Sequence, residues 1–157
     1  MTPRMTNPAL LLPDALEAAL ALSASTAKGD LPHGMIELVL LRASQINGCS
    51  VCVDMHTKGA SRDGETEERL HAVAAWRDTA YFSEAERAAL ALAESVTRLS
   101  DRPDPVPDDV WDAAARHFDE VALASLLVAI GLINLFNRIN VATRQVAGSV
   151  PLPPQGR

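Results

Sequence analysis

A chain of 157 residues with only two cysteines is long enough to bury a hydrophobic core without disulfide staples. Its net charge of −6 argues against the clustered Lys and Arg that a grip on nucleic-acid phosphate or anionic lipid needs, so neither partner is expected. Hydrophobic residues make up 48% of the chain and aromatics only 4%, an alanine- and leucine-rich balance that suits closely packed helices and predicts an all-α fold.

The N-terminal stretch MTPRMTNPALLLPDALEAALAL has Pro8, Pro13, Asp14 and Glu17 where a signal peptide would be apolar, so a cytoplasmic chain is expected. A first helix is predicted from Pro13, with Leu16, Ala19 and Leu20 on one face, to Lys28 and Gly29. A second starts near Pro32, runs through MIELVLLRASQI and stops at the Asn47-Gly48 breaker. A third begins at or beside Cys49 and runs to about Gly59, and SRDGETEERLHAVAAW supplies a loop and a fourth. Ser83 followed by Glu86 is a capping-box pattern that opens a fifth helix ending near Leu99.

The proline-rich SDRPDPVPDD reads as a connector, followed by a short helix over Val110 to Phe118 and a long one over Asp119 to Ala147. Within that last helix the apolar run Val121 to Phe136 is slightly short for a bilayer, which favours a buried or interface helix. Asn134, Asn137, Arg138 and Asn140 interrupt it, and such polar groups are expected to face other helices or another subunit. The apolar length makes this helix the expected homo-oligomer interface. One domain over residues 1–150 and a flexible tail over 151–157 complete the layout.

Chemistry concentrates in NGCSVCVDMH, residues 47–56. At about 100° per residue, Cys49, Cys52 and His56 fall on one helical face. A helix start at Cys49 puts its sulfur beside free backbone N–H groups, which lowers a thiol pKa from about 8.5. His56, four residues past Cys52, can take and return a proton, and Glu37 on the preceding helix can orient the imidazole. Blander readings stand beside this one: His56 could be a core-facing histidine with a satisfied hydrogen bond, and Glu37 a solvated helix residue. The cysteines could be small buried hydrophobes, or part of a zinc site, although zinc normally needs four ligands. Arg42, Ser44, Gln45 and Asn47 are expected to hold the helix junction: Ser44 and Gln45 by bonding backbone groups freed at the turn, Arg42 by pairing with an acid. His33, His71 and His117 have no partners that spacing can name.

The run ELVLLRASQINGCSVCVDMH resembles the core signature of the alkylhydroperoxidase D (AhpD)-like group in the carboxymuconolactone decarboxylase superfamily. NLFNRINVATR is similar to the last helix of small members, so the likeness extends over roughly residues 31–147. The resemblance implies an all-helical fold assembled as trimers or hexamers, and thiol-dependent reduction of hydroperoxides. It assigns Cys52 as the cysteine attacked by peroxide, Cys49 as its resolving partner, and Glu37 with His56 as the proton relay; helix position instead favours Cys49 as the more acidic thiol. An external dithiol would restore the pair, and neither metal nor organic cofactor is called for. Val51 stands where the best-known peroxidase of the group has a histidine, which bears on efficiency and on the choice of reductant. The cysteine pair argues against lactone decarboxylation. A general disulfide oxidoreductase and a non-catalytic helical assembly protein with a vestigial site are the alternatives.

Overall fold

In the computed structural model, which describes residues 1–101 and 103–149, every regular element among the described residues is helical. The helices are α1 (Pro8–Leu11), α2 (Pro13–Ser25), α3 (His33–Asn47), α4 (Ser50–Arg62), α5 (Glu67–Ala72), α6 (Glu84–Thr97), α7 (Asp108–Ala115) and α8 (Glu120–Thr143), with 3₁₀ turns at Thr26–Gly29 and Val73–Asp78. The tail expected over 151–157 lies outside the described residues.

Sequence punctuation sets most boundaries. Pro32 sits at the N-cap of α3, and Gly48, at φ 68°, ends it in the left-handed region where a side chain would be strained. The chain reverses there and α4 packs back along α3. Ser83 accepts from the backbone of Glu86 while the Glu86 side chain accepts from the backbone of Ser83, so the capping box of α6 is complete.

Several elements differ from expectation, among them α4, which runs to Arg62 rather than to about Gly59. The short helix α1 was not anticipated; Asn7 caps it by accepting from Ala9 N–H at 3.0 Å, with Pro8 as its first residue. The first predicted helix stays α-helical only to Ser25, where Ser25 Oγ donates to Leu22 O and Thr26 Oγ1 to Ser23 O, each at 2.7 Å, and a 3₁₀ turn takes over. The short seventh helix spans Asp108–Ala115, ending before Phe118, which turns inward to the core. Helix α8 stops at Thr143, not Ala147, because Arg144 adopts φ 53°.

The core falls into three clusters. Met35 and Val39 of α3 meet Ala89, Leu92 and Ala93 of α6 and Leu123, Leu126 and Ile130 of α8. Leu38 and Leu41, on another face of α3, pack with Leu70, Val73, Trp76, Phe82 and Leu90. Ala43, Cys49, Val51, Cys52 and Ile133 form the third. At 24 residues α8 exceeds the apolar run seen in the sequence, and by length and composition it could cross a membrane. It is instead the helix against which α2, α3, α4 and α6 pack, so most of its apolar surface is used within the fold.

Of the four polar residues that interrupt the apolar run of α8, Asn134 and Asn137 bond to neighbouring elements inside the core, and Arg138 Nη1 donates back to Asn134 O and Oδ1, each at 3.0 Å. Asn134 Nδ2 donates to Thr97 Oγ1 at 3.1 Å, and Asn47 Nδ2 donates to both Asn134 Oδ1 and Asn137 Oδ1 at 2.9 Å. Asn137, fully buried, donates to Ser44 Oγ at 3.2 Å. Asn47 thus ties the α3–α4 turn to α8. The Ser44 hydroxyl donates to Leu40 O within its own helix rather than to groups freed at the turn, and the Gln45 side chain accepts from Arg42 Nη1 at 3.5 Å.

Candidate active site

Cys49 is the N-cap of α4, and its Sγ accepts from the Cys52 backbone N–H at 3.4 Å. Cys49 and Cys52 are joined by a disulfide, with Cα atoms 5.3 Å apart, so both sulfurs emerge on one side of the first helical turn. Both residues are buried, at 1% and 3% exposure. Val51 is equally buried in the same cluster and packs there as an apolar residue that carries no proton. A cavity of ≈ 440 Å³ opens beside Cys49, bounded by Gly48, Ser50, Asn140, Arg144 and the first two residues of the chain. The cavity thus adjoins the Cys49 side of the pair.

One turn past Cys52 on α4, His56 Nδ1 donates to Glu37 Oε2 of α3 at 2.9 Å. A carboxylate oxygen accepts here, so the proton sits on Nδ1 and the Nε2 lone pair is left to accept another. Nε2 has no partner among the described residues, and no fully buried side-chain polar atom lacks one, so this nitrogen is not sealed away from solvent. The Glu37 carboxylate reaches the ring by lying across Gly59, where an added Cβ would come within 2.7 Å of Oε2. Only a glycine leaves that passage open.

The four residues singled out in the sequence therefore form two pairs: the Cys49–Cys52 disulfide at the start of α4, and His56 one turn later hydrogen-bonded to Glu37 of α3. Three contributors escaped sequence reasoning. Gly59 acts by lacking a side chain; Asn140 Nδ2 donates to Cys52 Sγ at 3.4 Å; and Asn7 Nδ2 donates to Asn140 Oδ1 at 3.2 Å. Asn7 and Asn140 lie far from the cysteine motif along the chain, whereas Gly59 follows His56 by three residues.

Arg42 finds its acid in Glu94 of α6, with Nε donating at 2.7 Å. Trp76 Nε1 and Arg77 Nη1 donate to the same carboxylate, at 3.0 and 2.7 Å. Burial alone would raise the Glu94 pKa, but the bonds from Trp76, Arg77 and Arg42 outweigh it and hold the carboxyl below its ordinary range. This cluster braces α3 against α6 behind the site. His33, for which spacing named no partner, pairs with Asp63 just beyond α4. Among the described residues no group of three or more His, Cys, Asp or Glu is placed to hold a metal ion.

A sequence profile of the carboxymuconolactone decarboxylase family matches residues 13–95. The uncharacterized protein YdfG of Bacillus subtilis (strain 168) is 34% identical over 139 residues, which cover 88% of this chain and 93% of the relative. The uncharacterized protein YnjA of Escherichia coli (strain K12) is 40% identical over 120 residues, covering 76% of this chain but only 60% of that longer relative. Among solved structures, ATU0492 from Agrobacterium tumefaciens, a protein of unknown function suggested to be the antioxidant defence protein AhpD, superposes with a TM-score of 0.86. It is 36% identical, with 95% of this chain and 100% of that one covered. The debrominase Bmp8 superposes with a TM-score of 0.75 at 25% identity, over 87% of this chain and 73% of that one. The chain belongs to the carboxymuconolactone decarboxylase family, and its all-helical fold is AhpD-like.

Proposed function

We propose that this protein is a thiol-dependent peroxidase of the AhpD type, reducing hydroperoxides through Cys49 and Cys52 with Glu37 and His56 as proton relay. The observation that carries the reading is the Glu37–His56 bond of 2.9 Å one helical turn beyond a pair of cysteines close enough to bridge. The likeness to ATU0492 favours it over the debrominase activity of the more distant Bmp8.

In the reduced enzyme Cys52 passes its thiol proton to His56 Nε2, and the resulting thiolate attacks the terminal oxygen of the hydroperoxide. An S–O bond forms, the O–O bond breaks, and the leaving alkoxide takes a proton from His56 to give the alcohol. Cys49 then attacks the sulfenic sulfur of Cys52 and expels hydroxide, which is protonated to water as the disulfide closes. An external dithiol returns two electrons and two protons. The cavity lined in part by Cys49 is where that dithiol would approach the pair. All electrons come from thiols, so the cycle uses no metal or organic cofactor.

A chain that must be re-reduced after every turnover works where thiols are kept reduced, which accords with the cytoplasm. Assembly into a trimer or hexamer is part of the same reading. The apolar side chains left exposed include Leu10, Leu11 and Leu12 around α1, Leu20 and Leu22 on α2, and Val121, Leu135 and Val141 on α8, more than a monomer of this size needs at its surface. Light scattering behind size exclusion tests this, and a clean monomer would rule assembly out.

The functional test is consumption of tert-butyl hydroperoxide by the pre-reduced protein with dithiothreitol as reductant. Turnover that requires both cysteines establishes the peroxidase. Thiol–disulfide exchange with a model disulfide but no peroxide consumption would leave a general disulfide oxidoreductase, and unreactive thiols would leave an assembly protein with a vestigial site.

A further inference from the structure

The hydrogen-bond chain from the N-terminal segment to Cys52 has a direction that can be worked out. Ala9 N–H can only donate, so the Asn7 side chain must present its oxygen to it, at 3.0 Å. The Asn7 amide nitrogen is thereby turned toward Asn140 and donates to its Oδ1 at 3.2 Å. That contact settles the Asn140 amide in turn, aiming Nδ2 at Cys52 Sγ, 3.4 Å away. Asn140 is buried, on the last turns of α8, and makes the described side-chain link from that helix to the reactive sulfurs. A helix cap more than forty residues from the motif thus fixes which end of an amide faces a cysteine.

We infer that Asn140 is a further catalytic residue, whose amide N–H stabilises the Cys52 thiolate, with Asn7 as the positioning residue that holds it in that orientation. A disulfide sulfur is a weak acceptor, whereas a thiolate is an anion and gains more from the same donor, so the contact strengthens on reduction. Each sulfur then has its own donor: the α4 N-terminal N–H of Cys52 for Cys49, and Asn140 for Cys52. This answers the conflict between helix position, which favours Cys49 as the acidic thiol, and histidine spacing, which favours Cys52. The other titratable groups near the pair among the described residues include His56 on α4, backed by Glu37 of α3, and, on the Cys49 side, Arg144 at the end of α8 and the amino terminus at Met1, both residues lining the cavity. None of them is bonded to the Cys52 sulfur, so the amide contribution can be separated from theirs.

The inference rests on the peroxidase reading for its catalytic meaning, but its test does not need peroxide. In the full chain carrying Cys49→Ser, so that Cys52 is the only thiol, the rate of alkylation by iodoacetamide is followed across a pH series with and without Asn140→Ala. The profile is expected to move up by about one pH unit, slowing alkylation near neutrality by up to about tenfold. Asn7→Ala should move it the same way by less, because the donor stays but loses its orientation. An unmoved profile in an Asn140→Ala protein with wild-type circular dichroism overturns the inference. Should Asn140→Ala fail to fold, Asn7→Ala decides: an upward shift upholds it and none refutes it. A shifted profile in a protein that consumes no peroxide would keep the thiolate donor and remove only the peroxidase.

Discussion

Glu37 and His56, nineteen positions apart in sequence and on different helices, meet at 2.9 Å because Gly59 leaves a channel between them. The carboxylate oxygen that accepts from the imidazole is the atom an alanine methyl at position 59 would strike, at 2.7 Å. Gly59→Ala should therefore push Glu37 off the ring without unfolding the protein, since a flexible carboxylate can move aside and alanine favours the helix. Peroxide turnover is expected to fall at least about tenfold, close to the effect of Glu37→Gln, while the melting temperature changes little. Wild-type turnover in Gly59→Ala would show that the Glu37–His56 hydrogen bond is not used.

The two cysteines should fail differently. Cys52→Ser removes the atom that attacks peroxide and should abolish consumption, whereas Cys49→Ser should allow one turnover that stops at a sulfenic acid trappable with dimedone. Mass spectrometry of the trapped adduct reads out which sulfur was oxidised. A dimedone adduct on Cys49 in the Cys52→Ser protein would show that the roles are reversed.

Glu94 contributes to acid stability. Its carboxyl titrates below the ordinary value of 4.5 in the folded chain, so its ionised form favours folding. That stabilisation is fully present above about pH 4.5 and is lost as pH falls through the folded value. Thermal melts across acidic pH should show a decline that Glu94→Gln makes shallower. At neutral pH the same substitution leaves Arg42 short of its buried partner and should cost about 2–4 kcal/mol, measured by urea titration.

Asn137 is fully buried and bridges Asn47 at the helix turn to Ser44. Asn137→Ala leaves both partners short of a bond and opens a void, so a loss of about 2–4 kcal/mol is expected in the same titration. A change under about 0.5 kcal/mol would mean that water replaces the amide without cost.

Local chemistry made much of this legible from the sequence. Pro32, Gly48 and the Ser83–Glu86 box act within a few residues, so α3, the turn before α4 and the start of α6 could be placed from their own chemistry. The shared face of Cys49, Cys52 and His56 follows from helical periodicity, and Glu37 from a hairpin of known length. Asn140 and Asn7 could not be found this way: their partners are 88 and 133 positions distant, and asparagine has countless uses besides facing a sulfur. Gly59 signals nothing locally, since its contribution is an absent methyl group. The early end of α8 depends on the left-handed Arg144, a conformation its residue type does not announce.

The central claim is that Cys49 and Cys52 cycle between dithiol and disulfide at the expense of a hydroperoxide. Its most direct test treats the reduced protein with one equivalent of tert-butyl hydroperoxide and counts thiols while intact mass is recorded. The account predicts that two thiols disappear together, two mass units are lost through an intramolecular bond, and one equivalent of alcohol is formed. Thiols that survive with the peroxide unconsumed would contradict it.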